Sequence, residues 1–208
     1  MIAATENLFT VRQVGLTVFG NDEAEVPVSW DLDDLIFARA RVAAGSIMVR
    51  RIASPKGAFD SYYHPQSILF SHQRDELTNS VKLIAGSAGC DRYLLILRGE
   101  AELGGTNQML PGIGILRRGI PKRVYLFAYL RVIMFDGRIW EMQKNPNATF
   151  ENALKRLVTL KVEDLRKIDD SMFPAAPTDA AANAELRDKT REFLAERLDA
   201  FLPSFLQK

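Results

Sequence analysis

The stretch Val124 to Phe135 most constrains what this chain can fold into. It is nearly all aromatic and aliphatic, with Arg131 the only charge, and such residues favour a pleated, half-buried surface. Asp136-Gly137 closes it, a pair suited to a type I′ turn, in which both central residues take positive φ. Arg138 to Gln143 then reads as the returning strand of an antiparallel hairpin. A chain with this segment must contain a sheet.

Upstream, strand-like and helix-like runs alternate. Val11 to Phe19 reads as the first strand and Gly20 to Glu25 as a polar loop. A helix follows from Asp31 to Gly45, capped by Ser29 or Asp31, with Asp33 and Asp34 at the positive end of its dipole. Leu32, Leu35, Ile36 and Val42 keep helical spacing, and Arg39 interrupts them. Ile47 to Ile52 reads as a second strand, ended by Ser54-Pro55-Lys56-Gly57. Leu77, Val81 and Ile84 mark one face of a second helix, opened by Ser71 and stopped by Gly86 and Gly89. Tyr93 to Leu97 is apolar on both faces and reads as a central third strand. A short strand is expected near Met109 to Leu116, within the glycine-rich stretch Gly99 to Gly119.

Asn145 to Thr149 marks a boundary. A helix carrying Leu154, Leu157, Val158, Leu165 and Ile168 is expected beyond it. After a linker at Met172 to Pro177, a last helix carries Leu186, Phe193, Leu194, Leu198 and Leu202 and ends at Pro203. The order predicts an α/β fold: a mixed, partly parallel sheet flanked by helices, with an antiparallel hairpin at Asp136-Gly137 and a C-terminal helical pair. Residues 1–148 form the sheet domain and 149–208 a helical extension packed on the same domain. Leu16, Val18, Leu35, Ile36, Leu77, Val81, Ile84, Leu95, Leu126 and Leu130 are the expected core.

Composition excludes several classes. The formal net charge of +1 gives no basic excess for neutralising phosphates, so no nucleic-acid partner is expected. Cys90 is the one cysteine, which rules out an internal disulfide and a cysteine zinc site within one chain. No apolar stretch approaches the roughly 18 residues of a membrane span. Met1 to Leu8 lacks the basic and apolar regions of an export signal. The chain as given therefore reads as cytoplasmic, or as periplasmic if a signal has been removed.

Chemistry is harder to find. Phe19-Gly-Asn-Asp22 resembles the Gly-x-Asn-Asp element of lipase-like hydrolases, but the chain has no Gly-Asp-Ser and its last histidine is His72. Cys90 with His64 or His72 and Asp75 or Asp91 contains the residue types of a thiol triad, yet a free cysteine at the start of an apolar strand reads as a small hydrophobe. His64 and His72 lack the i, i+3 or i+4 spacing of a helical metal pair. No catalytic residue, metal site or cofactor is expected. Gly104-Gly105 and Gly112-Ile-Gly114 offer backbone for an anion nest but lack the lysine or following helix of a phosphate loop. Arg117, Arg118, Lys122 and Arg123 form a basic cluster with no aromatic between them. Phe59, Tyr62, Tyr63 and Phe70 make an aromatic loop that reads equally as an interaction surface or as a plug on the core.

Ligands of open α/β sheets sit beyond the carboxyl ends of parallel strands. If the first three strands are parallel neighbours, Asn21, Lys56, Thr106 and Asn107 converge there as a ligand site. Asn offers donors and acceptors, Thr106 a hydroxyl, and Lys56 a charge for an anion.

Gly15 to Phe19, Thr106-Asn107-Gln108, and Gly112 with Gly114 together resemble a group of uncharacterised proteobacterial α/β proteins with a helical C-terminus. That resemblance implies an envelope location and no activity. Two classes of function stay open: a non-catalytic binding or assembly module, possible in the bacterial envelope, with a protein partner; or a small-ligand binder or enzyme with its site at the strand ends.

Overall fold

The computed structural model describes residues 1–15, 20–64, 70–103, 108–143 and 165–206, without the side chains of residues 70–73. The fold is α/β, with parallel and antiparallel strands in mixed sheets. One sheet has the order β1-β4-β9-β10, from β1 (Ile2–Ala4), β4 (Arg92–Arg98), β9 (Leu130–Asp136) and β10 (Met142–Gln143). A second has the order β11-β8-β7-β2-β3, from β2 (Leu8–Gln13), β3 (Asp22–Pro27), β7 (Ile113–Arg118), β8 (Arg123–Ala128) and β11 (Arg166–Ile168). β5 (Glu100–Leu103) and β6 (Gln108–Pro111) form a two-stranded ribbon. The parallel pairs are β1 with β4 and β2 with β7.

Tyr93 to Leu97 is central as expected, and Leu95 is fully buried. One face of β4 carries Leu94 and Ile96, which join the main core formed with the second sheet and helix α1 (Leu32–Ala44). The other face carries Tyr93, Leu95 and Leu97. These pack on α2 (Asp60–Tyr63) and α3 (Phe70–Ala85), where Leu77 and Val81 are buried. Phe59 and Tyr62 lie in this second core and Tyr63 packs against it, so these three aromatics plug the core; the Phe70 side chain lies outside the described residues. Of the other expected core residues, Ile36 and Leu126 are buried, Leu35, Ile84 and Leu130 are partly buried, and Leu16 and Val18 fall outside the described residues.

The apolar run Val124 to Phe135 is not one strand. It divides at Tyr129 into β8 and β9, which belong to different sheets. Met109 to Leu116 divides likewise at Gly112 into β6 and β7, and the strand after Tyr93 passes through Gly99 into β5. The three breaks meet. Gly99 N–H donates to the Tyr129 carbonyl (2.9 Å), Tyr129 N–H to Gly112 (2.7 Å), and Gly112 N–H to Gly99 (2.8 Å). Three long strands thus exchange partners in a cycle around a closed ring of backbone hydrogen bonds. Each buried peptide group at the breaks keeps a partner, which lets the sheets diverge without orphaned donors. Gly112 takes φ +64 there, a conformation side chains resist.

The polar segment Gly20 to Glu25, expected as a loop, contributes the edge strand β3 instead. Two of its three carboxylates are held by arginines of other strands: Glu23 pairs with Arg12 directly across the ladder (2.6 Å), and Glu25 with Arg98 (2.5 Å). Acidic side chains and Pro27 also suit an edge that must not recruit another chain. Ile47 to Ile52 is not a regular strand. Its end hydrogen-bonds the residue that precedes β1, Met1 N donating to Arg50 O (2.7 Å) and Ile52 N to Met1 O (2.9 Å), while residues 46–48 face solvent.

β9 and β10 do pair antiparallel around Asp136-Gly137, but not through a type I′ turn. Asp136 Oδ1 accepts from Arg138 N (2.8 Å) and Ile139 N (3.3 Å), and the positive φ falls at Trp140. The Trp140 ring stacks on Tyr93 at 4.8 Å, and that contact draws the longer connection over the sheet. Gly137 serves closeness rather than handedness: its N–H donates to Asp91 O (2.7 Å), and a Cβ would strike the carbonyl of Cys90.

The C-terminal helices are α4 (Ala184–Phe201) and α5 (Pro203–Leu206), one helix bent at Leu202. Pro203 bends it rather than ending it, because proline fits the first turn of a helix. Leu165 and Ile168 are not helical; Arg166–Ile168 pairs antiparallel with β8. Residues 149–164 lie outside the described residues. Asn183 caps α4, accepting from Leu186 N (3.0 Å). Arg39, the break in the apolar pattern of α1, faces α4 and pairs with Asp199 through Nε (2.6 Å) and a second contact.

Candidate functional site

The arrangement behind the expected ligand site is absent. The first and third strands lie in different sheets, and the segment before Lys56 is not a regular strand. Asn21 precedes the edge strand β3 and spends its Oδ1 on Gly15 N (3.0 Å), the turn-stabilising role open to any such asparagine. Lys56 is exposed in the turn before α2. Thr106 and Asn107 lie outside the described residues. Cys90 is half-buried, with Arg50 Nη2 3.2 Å from its sulfur. Among the described residues no three His, Cys, Asp or Glu side chains gather around a point that could hold a metal ion. No helix among them is long and apolar enough to cross a membrane.

The carboxyl ends of the parallel pair β1 and β4 carry a polar cluster. The Tyr63 hydroxyl closes this end of the ladder, accepting from Arg98 N (3.0 Å) and donating to Ala4 O (3.4 Å). The Arg98 guanidinium lies 4.8 Å from the centre of the Tyr63 ring and pairs with Glu6 (3.2 Å) and Glu25 (2.5 Å). Beside it the chain turns sharply from β1 into β2. Glu6 and Asn7 both take positive φ (60° and 49°), and Asn7 Oδ1 accepts from Leu32 N (2.9 Å) at the start of α1. Asp31 also has positive φ (51°), and Asp33 holds Thr5 through its N–H and hydroxyl (2.9 and 2.8 Å). Backbone strain of this kind persists only where the surroundings over-determine it. Here every strained residue is tied to a neighbouring element. Both terminal nitrogens of the Arg98 guanidinium are taken by the two carboxylates, while its buried Nε has no partner among the described residues, so the cluster acts as a clasp between sheets.

Burial of the phenol pushes the Tyr63 pKa up to about 12, against the pull of the Arg98 N–H and guanidinium. A raised folded pKa means that the stability is fully present below the unfolded value near 10 and is lost as pH rises through 12. Alkaline melts should therefore show a fall on the order of 2 kcal/mol across that window. Tyr63→Phe should flatten it while lowering stability at neutral pH by about 1 kcal/mol for the lost hydrogen bonds. An unchanged alkaline slope in the variant would assign the transition to another group.

A surface of different character lies at the end of α1. Val42 is 70%, Ile47 45% and Met48 85% exposed, and together with Ala38, Arg41, Gly45 and Val49 they line an open depression of about 550 Å³. Gly45, with φ +60, ends the helix and throws residues 46–48 outward. Arg41 borders the patch on the helix side and has no carboxylate partner among the described residues, whereas Arg50, which follows the patch in the chain, turns its guanidinium to the Ala88 carbonyl and the Cys90 sulfur. Single exposed apolar side chains are ordinary, but a contiguous group with a polar rim marks contact sites. The apolar residues Ile47-Met-Val49 beside Arg50-Arg51 are the signal in the sequence, and it looks the same as a strand.

No family model matches the chain, and no curated protein and no solved structure matches it either.

Proposed function

We propose that the chain is a non-catalytic binding or assembly module that docks a protein through the patch formed by Val42, Ile47 and Met48. The carrying observation is that these three exposed apolar residues are contiguous and line one depression. Arg41 on the border of the patch calls for a partner segment apolar at its centre with an acidic group at that flank. An envelope setting for this module rests on the resemblance of Gly15 to Phe19, Thr106-Asn107-Gln108, and Gly112 with Gly114 alone.

A photo-crosslinking residue placed at position 48 tests the reading, with position 83 as control, because Leu83 is 89% exposed but lies outside the patch. In cells expressing the protein, position 48 should give a discrete adduct that position 83 does not. The double change Val42→Glu, Met48→Glu should abolish binding of the isolated partner without lowering the melting temperature. The same adducts from both positions, or none from position 48, would sink the proposal.

A further inference from the structure

The basic cluster found in the sequence has a specific geometry. Arg118 and Arg123 end the paired region of β7 and β8 and face each other directly in the antiparallel register. Directly opposed residues point to the same face, about 5 Å apart at Cα, so the ladder sets two like charges side by side. That is unfavourable unless something answers it. Among the described residues no carboxylate pairs with either arginine or with Lys122. Their neighbour Arg117 is already occupied, its Nε donating to Gln13 (3.0 Å) and its guanidinium 4.0 Å from the centre of the Phe173 ring.

The paired arginines open on a depression of about 370 Å³. Val14 and the buried Leu103 contribute apolar surface to it, Tyr125 lies against Arg118 with the guanidinium 5.8 Å from the ring centre, and Ile120, 75% exposed, projects from the hairpin turn. The site thus combines two planar donors with an apolar and aromatic wall. Paired guanidiniums match the oxygens of a phosphate group, each presenting parallel N–H bonds.

We propose that Arg118 and Arg123 together bind a phosphate group whose remaining part is apolar or aromatic and rests against Tyr125 and Ile120. A free phosphate ester and a phospholipid headgroup share this chemistry. The site is independent of the Val42–Met48 patch, so either reading can fail alone.

The test compares wild type, the double variant Arg118→Gln, Arg123→Gln, and the control Arg39→Gln, which removes a charge already paired with Asp199. Phenyl phosphate is titrated by calorimetry, and vesicles of phosphatidylcholine with and without phosphatidic acid are tested by co-sedimentation. Wild type and the control should bind at least one probe, more weakly as salt rises. The double variant should bind it roughly a hundredfold less, about tenfold for each guanidinium removed. Binding of phenyl phosphate places the source in solution; binding only to vesicles containing phosphatidic acid places it in a lipid surface. Because a like-charge pair is removed, the free double variant should melt no lower than wild type, which separates lost binding from misfolding. No binding to either probe, or binding undiminished in the double variant, would overturn the assignment.

Discussion

Replacing Gly114 with alanine should destabilise the protein by about 3 kcal/mol, the upper range for forcing a methyl into a filled interior. Gly114 sits in the middle of β7, paired to Thr10 of β2 on one side and Phe127 of β8 on the other. A Cβ there would press on the Thr10 carbonyl and the Phe127 ring, with Phe127 Cε1 at 2.9 Å. Neither neighbour can retreat easily. Thr10 is fixed in a parallel ladder, and its hydroxyl donates to Pro111 O (3.0 Å). Phe127 is fully buried in a small core with Leu103, Leu110 and Leu116. Urea unfolding measures the effect directly. A loss below about 1 kcal/mol would mean that β7 can shift away from its neighbours as a unit.

Leu95→Ala should cost about 2–5 kcal/mol, the range for an aliphatic side chain truncated where the surroundings cannot collapse. Leu95 lies at the midpoint of β4, paired with Ile2 on one side and Ile133 on the other. Its side chain is fully buried in the second core, with Leu77, Val81 and Phe135. The strand beneath it is held at both ends, by the Tyr63 clasp at Arg98 and by the Asp91 carbonyl that Gly137 binds, so the backbone is poorly placed to sink into the cavity. A change of less than about 1 kcal/mol in a urea melt would show that the space refills from α3.

The periodic signals in the sequence reported local structure well and partnership poorly. The helix over Leu32–Ala44, the double stop at Gly86 and Gly89, the central strand at Tyr93 and the pairing across Asp136 were legible because neighbouring residues determine them. The divided strands were not. Tyr129 carries no mark of a break, since its interruption comes from two glycines on other strands. β3 looked like a loop because two of its three charges are answered by Arg12 and by Arg98, and Arg98 is remote in sequence. Ile47 to Val49 looked like a strand because apolar residues in sequence are read as buried, and here two of the three are exposed. The ligand site expected at the strand ends depended on which strands are neighbours, a property of topology. The paired arginines depended on a register, visible only once Arg118 was placed opposite Arg123.

The ring of Gly99, Gly112 and Tyr129 bears on how such a sequence can change. A one-residue slip in a strand turns every side chain to the other face. Each of the three long strands takes part in two ladders at once, so an inserted or deleted residue would have to be matched in both partners, which themselves share the third ladder. Between residues 92 and 136 the lengths of the strands are therefore mutually fixed, and descendants of this chain can gain or lose residues there only where the strands turn back on themselves.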